Sequence, residues 1–70
     1  MEVHKQIKRL GKKIEMLRMS KGISRAKLSD MCGVAETTIM QFEHGTSVPR
    51  TETICRIASA LGYRLTFEMK

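Results

Sequence analysis

The chain has 70 residues, which is enough for one small domain whose isolated core gives only marginal stability. Hydrophobic residues make up 41% and charged residues 29%, as in a folded globular domain, and no apolar run is long enough to span a membrane. The net charge of +6 is uneven, since residues 1–27 hold nine Lys or Arg against two Glu, and residues 28–70 hold four against five acidic residues. Such a basic segment suits a nucleic acid partner, although a solvated basic face explains it equally well.

Targeting and metal-binding signals are missing from the sequence. The first residues mix charged and apolar side chains and do not form the apolar segment of a signal peptide, so we expect a cytoplasmic protein. Cys32 and Cys55 lie far apart, and neither His4 nor His44 has Cys, Asp or Glu at metal-ligand spacing. We therefore expect reduced, buried thiols, no bound metal and no cofactor.

The first predicted helix is amphipathic and basic. Ile7, Leu10, Ile14 and Leu17 recur at three- and four-residue spacing with Lys and Arg between them, and Gly22 ends the pattern. One face of this helix is expected in the core and the other in solvent. Most of the basic residues lie within residues 1–27, so a polyanion would meet the first helices preferentially.

The second and third predicted helices are short and joined by a tight turn. Ser24 is the expected N-cap of the second helix, which runs to Cys32 and stops at Gly33 because glycine takes positive φ without steric cost. The third helix, from Ala35 to Glu43, begins only two residues later. Two helices of this length and spacing can cross each other closely.

A fourth helix is predicted after Pro49, with Arg50 or Thr51 at its start. Its apolar residues keep the helical period until Gly62 ends it. They are Ile54, Ile57, Ala58 and Leu61.

The tail after Gly62 has the two-residue period of a half-buried β-strand. A lone strand leaves its backbone groups unpaired, so we expect it to pair with the same strand of a second copy. A twofold axis makes that pairing antiparallel, and a centre at Thr66 sets Arg64 opposite Glu68 and apolar side chains opposite each other. The expected dimer interface comprises Tyr63, Arg64, Leu65, Thr66, Phe67, Glu68 and Met69.

Residues 25–44 read R-A-K-L-S-D-M-C-G-V-A-E-T-T-I-M-Q-F-E-H, with small and apolar residues where a helix-turn-helix requires them. Ser29 is small where the two helices approach, and Gly33 occupies the turn position that needs a left-handed backbone. The residues expected in the core are Leu28, Cys32, Val34, Ile39 and Phe42. With E-H-G-T-S-V-P and the helix ending A-L-G, this pattern resembles the phage-repressor family of the Cro and Xre type over roughly residues 7–62.

The resemblance implies a mainly α fold, a four-helix lambda-repressor-like domain. In this interpretation residues 1–62 form the DNA-binding domain, with the helix-turn-helix motif at 25–44, and residues 63–70 form a dimerisation strand that pairs across a dimer. It also implies a sequence-specific regulator of transcription, a repressor, that binds double-stranded DNA as a homodimer.

The resemblance also assigns the residues that contact DNA. The third helix is expected in the major groove, with Glu36, Thr37 and Gln41 as base readers, although Glu36 can equally stabilise the helix N-terminus. Arg25 is placed at phosphates or flanking bases, and Arg50 at phosphates or the minor groove unless it is simply solvated. The outward face of the third helix comprises Glu36, Thr37, Met40, Gln41 and His44.

One structural ion pair is implied as well. Arg18 in the first helix and Glu43 after the third match an Arg and a Glu that members of the family pair. The alternative is a solvated Arg18.

The tail favours an alternative function, whereas the composition argues against an enzyme. The ending A-L-G-Y-R-L-T-F-E-M resembles that of HipB-like antitoxins, which use this domain and bind a toxin as well as their own operator. An antitoxin is therefore the alternative to a simple repressor. An enzyme is rejected, because the chain offers no nucleophile, acid–base pair or metal set and little volume for a pocket. The expected partners are DNA with an inverted-repeat operator, a second copy and, in the alternative, a toxin, with no membrane partner.

Overall fold

The computed structural model of the protein describes residues 2–64, with side chains from Lys8 onward. Within this range lie α1 (Glu2–Ser20), α2 (Arg25–Cys32), α3 (Glu36–His44) and α4 (Thr51–Ala60). All four predicted helices are confirmed, although α1 begins at Glu2, before the predicted apolar pattern starts at Ile7. No helix in the described part is both long and apolar enough to cross a membrane.

The turn between α2 and α3 forms as its residues predict. The Ser24 side chain accepts a hydrogen bond from the Lys27 backbone N–H at 3.0 Å, which makes it the N-cap of α2. Gly33 has φ 71° and donates its N–H to the Ser29 carbonyl, so the left-handed cap is confirmed. Ser29 Oγ also donates to the Val34 carbonyl at 2.6 Å, which ties α2 to the turn before α3.

The core joins all four helices. Four of the five motif residues expected in the core, namely Leu28, Val34, Ile39 and Phe42, are buried, and Cys32 is partly buried against them. The buried apolar cluster consists of Ile14, Leu28, Val34, Ile39, Phe42, Ile54, Ile57, Ala58 and Leu61. Because α1, α2 and α4 also contribute to this cluster, α3 packs against it with one face and exposes the other.

The closest approach between α1 and α3 was not predicted from the sequence. Gly11 is buried in the middle of α1, against the backbone of Phe42. A Cβ at Gly11 would overlap with the Phe42 carbonyl oxygen and lie 2.9 Å from its carbonyl carbon. Only glycine therefore allows this helix crossing, at some cost in helix propensity.

The described part of the tail is irregular. Tyr63 donates its backbone N–H to the Ala58 carbonyl at 2.9 Å, and Lys21 Nζ lies 5.9 Å from the centre of the Tyr63 ring. Tyr63 and Arg64 are both exposed. Residues 65–70 lie outside the described residues, so the dimerisation strand and its register stay predictions.

Candidate nucleic-acid interface

The predicted DNA-facing side chains lie together on one side of α3. Glu36, Thr37, Gln41 and His44 are exposed, and Met40 beside them is partly buried. The opposite side of the helix contributes the fully buried core residues Ile39 and Phe42. The helix thus has a polar face available to a ligand along its whole length, on a scaffold fixed by the core.

The two ends of α3 are built differently. Ala35 is the N-cap and provides no side-chain hydrogen bond, whereas the sequence placed it inside the helix. Glu36 then lies in the first turn, where the negative charge of a carboxylate interacts favourably with the positive end of the helix dipole. At the other end Gly45 has φ 75°, and the Thr46 backbone N–H donates to the Gln41 carbonyl at 3.0 Å.

A buried carboxylate lies at the C-terminal end of this helix. The Glu43 side chain has no exposed surface and accepts hydrogen bonds from Arg18 Nε at 2.8 Å and Arg18 Nη2 at 3.2 Å. Arg18 Nη1 donates to the Ile23 carbonyl at 2.8 Å. The predicted partners therefore stand in contact across α1 and α3, with most of the Arg18 side chain buried.

Arg25 joins the same carboxylate, which the sequence did not indicate. Its Nε donates to Glu43 Oε1 at 2.8 Å, and its Nη2 lies 3.6 Å from Glu15 Oε2 and 3.2 Å from His44 Nε2. The implied Arg18–Glu43 pair carried an indirect signal for a second partner. A buried carboxylate has about four acceptor positions, and one guanidinium does not fill them all. Arg25 thus links α2 to α1 and to the last turn of α3.

The remaining predicted contact residue lies beyond this cluster. Arg50 is exposed at the N-cap of α4, and its carbonyl accepts the Ile54 N–H at 3.0 Å. Of the two thiols, Cys32 is partly buried and Cys55 exposed, so the prediction of buried thiols is wrong for Cys55. Within the described range, no three His, Cys, Asp or Glu side chains are grouped so that they could share a metal ion.

These features define a class of protein. Two short helices joined through a left-handed glycine, the second with a buried apolar face and an exposed polar one, form a helix-turn-helix DNA-binding domain. The helix-turn-helix family profile matches residues 14–67, and the chain belongs to this family, the Cro/C1 type of DNA-binding transcription regulators. The family prediction is thereby confirmed. No curated protein and no solved structure matches the chain significantly.

Proposed function

We propose that the protein binds a specific double-stranded DNA site as a homodimer and represses transcription from it. The observation that carries this proposal is the exposed polar face of α3 opposite Ile39 and Phe42. A major groove about 12 Å wide accepts one α-helix, and only a helix exposed in this way can enter it. The first turn of α3 and one outward side are then available to base edges.

The side chains on that face differ in what they can read. Gln41 can pair with adenine through two hydrogen bonds, and Thr37 can contact a thymine methyl group. Glu36 can accept a hydrogen bond from a cytosine amino group, but its place in the first turn of α3 also gives it a purely structural use. Gln41 is therefore the most informative residue to substitute in a test of base recognition.

Cations at the edges of α3 supply the contacts to phosphates. Arg25 has an exposed fraction of 28% and uses Nε and Nη2 on its protein partners, so Nη1 remains to reach a phosphate. Arg50 is exposed before α4. Phosphate contacts of this kind set the position of the protein on DNA and release counterions.

The dimer is proposed to form through residues 63–70, paired around Thr66. The alternating pattern of the tail and the exposure of Tyr63 and Arg64 in the single chain support this arrangement. Two recognition helices related by a twofold axis would lie about 34 Å apart, one turn of DNA. The operator is accordingly an inverted repeat.

The antitoxin alternative has one observation in its favour, the similarity of the tail to that of HipB-like antitoxins. An antitoxin would bind the same operator, so DNA binding alone does not separate the two functions. The gene beside the one that encodes this chain separates them. A neighbouring toxin gene whose product binds this chain favours the antitoxin.

Selection of bound sequences from a random DNA pool, followed by footprinting, tests the main proposal. We expect an enriched inverted repeat with half-sites one helical turn apart. Enrichment of a single half-site would argue against the dimer. The absence of any enriched sequence would argue against specific recognition by α3.

A further inference from the structure

A cleft of about 440 Å³ lies between α1 and the C-terminal end of α3. We propose that it holds a backbone phosphate of the DNA, with Lys8 and Lys12 of α1 as the cationic ligands. This inference rests on the DNA binding proposed above and extends the interface beyond the helix-turn-helix motif. The cleft is lined by Lys8, Lys12, Glu15, Glu43, His44 and Gly45.

The charges around the cleft favour an anion. Glu43 is paired with buried Arg18 and with partly buried Arg25, and Glu15 lies 3.3 Å from Lys12 Nζ and 3.6 Å from Arg25 Nη2. The cleft lining thus has two lysines and two carboxylates, and those carboxylates are also paired with Arg18 and Arg25, which do not line the cleft. The positive charge left over is the condition for binding a phosphate.

Lys8 is held at the end of α3 by packing. A Cβ at Gly45 would lie 3.3 Å from Lys8 Cγ and 3.5 Å from Lys8 Cδ, so the stem of the lysine runs over this glycine. A lysine commonly rests its methylene stem on a surface while the ammonium stays in water. The ammonium is thereby kept near the last turn of α3.

His44 adds a hydrogen-bond donor to the cleft. A guanidinium can only donate, so the 3.2 Å contact from Arg25 Nη2 makes His44 Nε2 the acceptor. In that arrangement a neutral imidazole would carry its proton on Nδ1, and that N–H would be the donor for a phosphate oxygen. Arg25 acts here as a positioning residue for His44.

The cleft also lies where a phosphate is expected. From Glu36 to His44 the exposed face of α3 extends about 12 Å at 1.5 Å per residue, and the major groove is about 12 Å wide. With the first turn of α3 at the bases, its last turn reaches the edge of the groove, where the phosphate backbone runs. His44 and Gly45 mark that edge, and Lys8 and Lys12 flank it.

Lys13, on another side of α1, and Lys21, directly after the end of α1, provide a matched control. Lys13 lines a different surface, with Leu10, Ala58 and Tyr63, and Lys21 lies over the Tyr63 ring. The doubly substituted proteins Lys8→Gln/Lys12→Gln and Lys13→Gln/Lys21→Gln lose the same charge. Thermal melting of both verifies the fold before DNA binding is compared.

The first measurement is the affinity for a random-sequence DNA duplex as a function of salt, by fluorescence anisotropy. Each phosphate contact contributes about 0.9 to the slope of log affinity against log salt. We expect Lys8→Gln/Lys12→Gln to reduce this slope by about 0.9 per bound chain, the contribution of the one phosphate, and the control pair by less than half as much. Equal reductions in the two proteins overturn the assignment.

The second measurement is ethylation interference on the selected operator. In the wild type, ethylation of a phosphate beside the C-terminal end of α3 should block binding, and in Lys8→Gln/Lys12→Gln that phosphate should no longer matter. An unchanged interference pattern overturns the proposal. A wild-type protein without salt-dependent DNA binding contradicts the proposed function itself, whereas equal behaviour of both variants contradicts only the phosphate site.

Discussion

Replacing Gly11 with Ala tests how the structure holds the recognition helix. In an isolated helix this change is favourable by about 1 kcal/mol, because alanine has the higher helix propensity. Here the new Cβ would overlap with the Phe42 carbonyl oxygen, and its nearest side-chain neighbour, Phe42 Cδ1, would be only 3.2 Å away. A backbone carbonyl cannot turn aside, so α1 and α3 must separate.

That separation affects two other contacts. Ile14 of α1 is buried next to the core of α3, and Arg18 reaches Glu43 at 2.8 Å across the same pair of helices. Overpacking a core costs about 1–3 kcal/mol, and a backbone clash places the cost at the upper end. After the gain in propensity we expect a net loss of about 2 kcal/mol, or a fall in Tm of roughly 8–16 °C for a domain of this size.

Thermal and urea denaturation followed by circular dichroism measure this effect. Met16→Ala is the matched control, because Met16 lies on the same helix with 62% of its surface exposed. We expect that variant to stay within about 0.5 kcal/mol of the wild type. A Gly11→Ala protein as stable as Met16→Ala would refute the close packing of α1 on α3.

Three further predictions concern the ion pair, base readout and the dimer. Arg18→Ala should lower the free energy of unfolding by about 3 kcal/mol, because its buried carboxylate partner loses one of two arginines; a wild-type Tm would contradict this. Gln41→Ala should weaken binding to the selected site by about 1–3 kcal/mol and leave random DNA unaffected, whereas an equal loss on both would mean backbone contact alone. In sedimentation, Arg64→Glu should weaken the dimer and adding Glu68→Lys restore it; failure of this rescue would reject pairing around Thr66.

Local features of the fold could be predicted because their causes are local. Ser24 and Gly33 fix the ends of α2 through their own side chain and backbone, and the spacing of apolar residues identified the buried faces of the helices. The helix-turn-helix motif is a dense array of such local signals. Its position and the outward face of α3 therefore followed from the sequence.

Apart from the Arg18–Glu43 pair, which the family resemblance implied, features that depend on two distant helices were missed. In the sequence, Gly11 only lowers the helix propensity of α1. Its role in packing depends on the backbone of Phe42, which lies against it in the folded chain. The contact of Arg25 with Glu43 could not be predicted, because Glu43, 18 residues away, is buried beside it only in the folded chain. The position of Lys8 and Lys12 beside the C-terminal end of α3 likewise could not be predicted, because it depends on how α1 packs against α3.

The contacts of α3 are concentrated at one of its ends. A helix of nine residues is too short to be stable alone, so tertiary contacts must fix it. Near its C-terminus Phe42 packs on Gly11, Glu43 binds two arginines and Gly45 supports Lys8. Its N-terminus has Ala35 as a cap without a side-chain hydrogen bond.

This asymmetry bears on how DNA would be recognised. The C-terminal end of α3 is anchored to α1 and α2 where the phosphates are proposed to bind, so phosphate contacts act on a fixed platform. Glu36 and Thr37, proposed to meet the bases, lie at the end whose N–H groups lack a side-chain cap. Those N–H groups and the positive end of the helix dipole are complementary to acceptors on DNA, and they are left open at the end that would enter the groove. A Ser or Thr in place of Ala35 would accept a hydrogen bond from one of these N–H groups. In the proposed complex, the missing cap therefore costs helix stability but leaves that N–H as a donor for DNA.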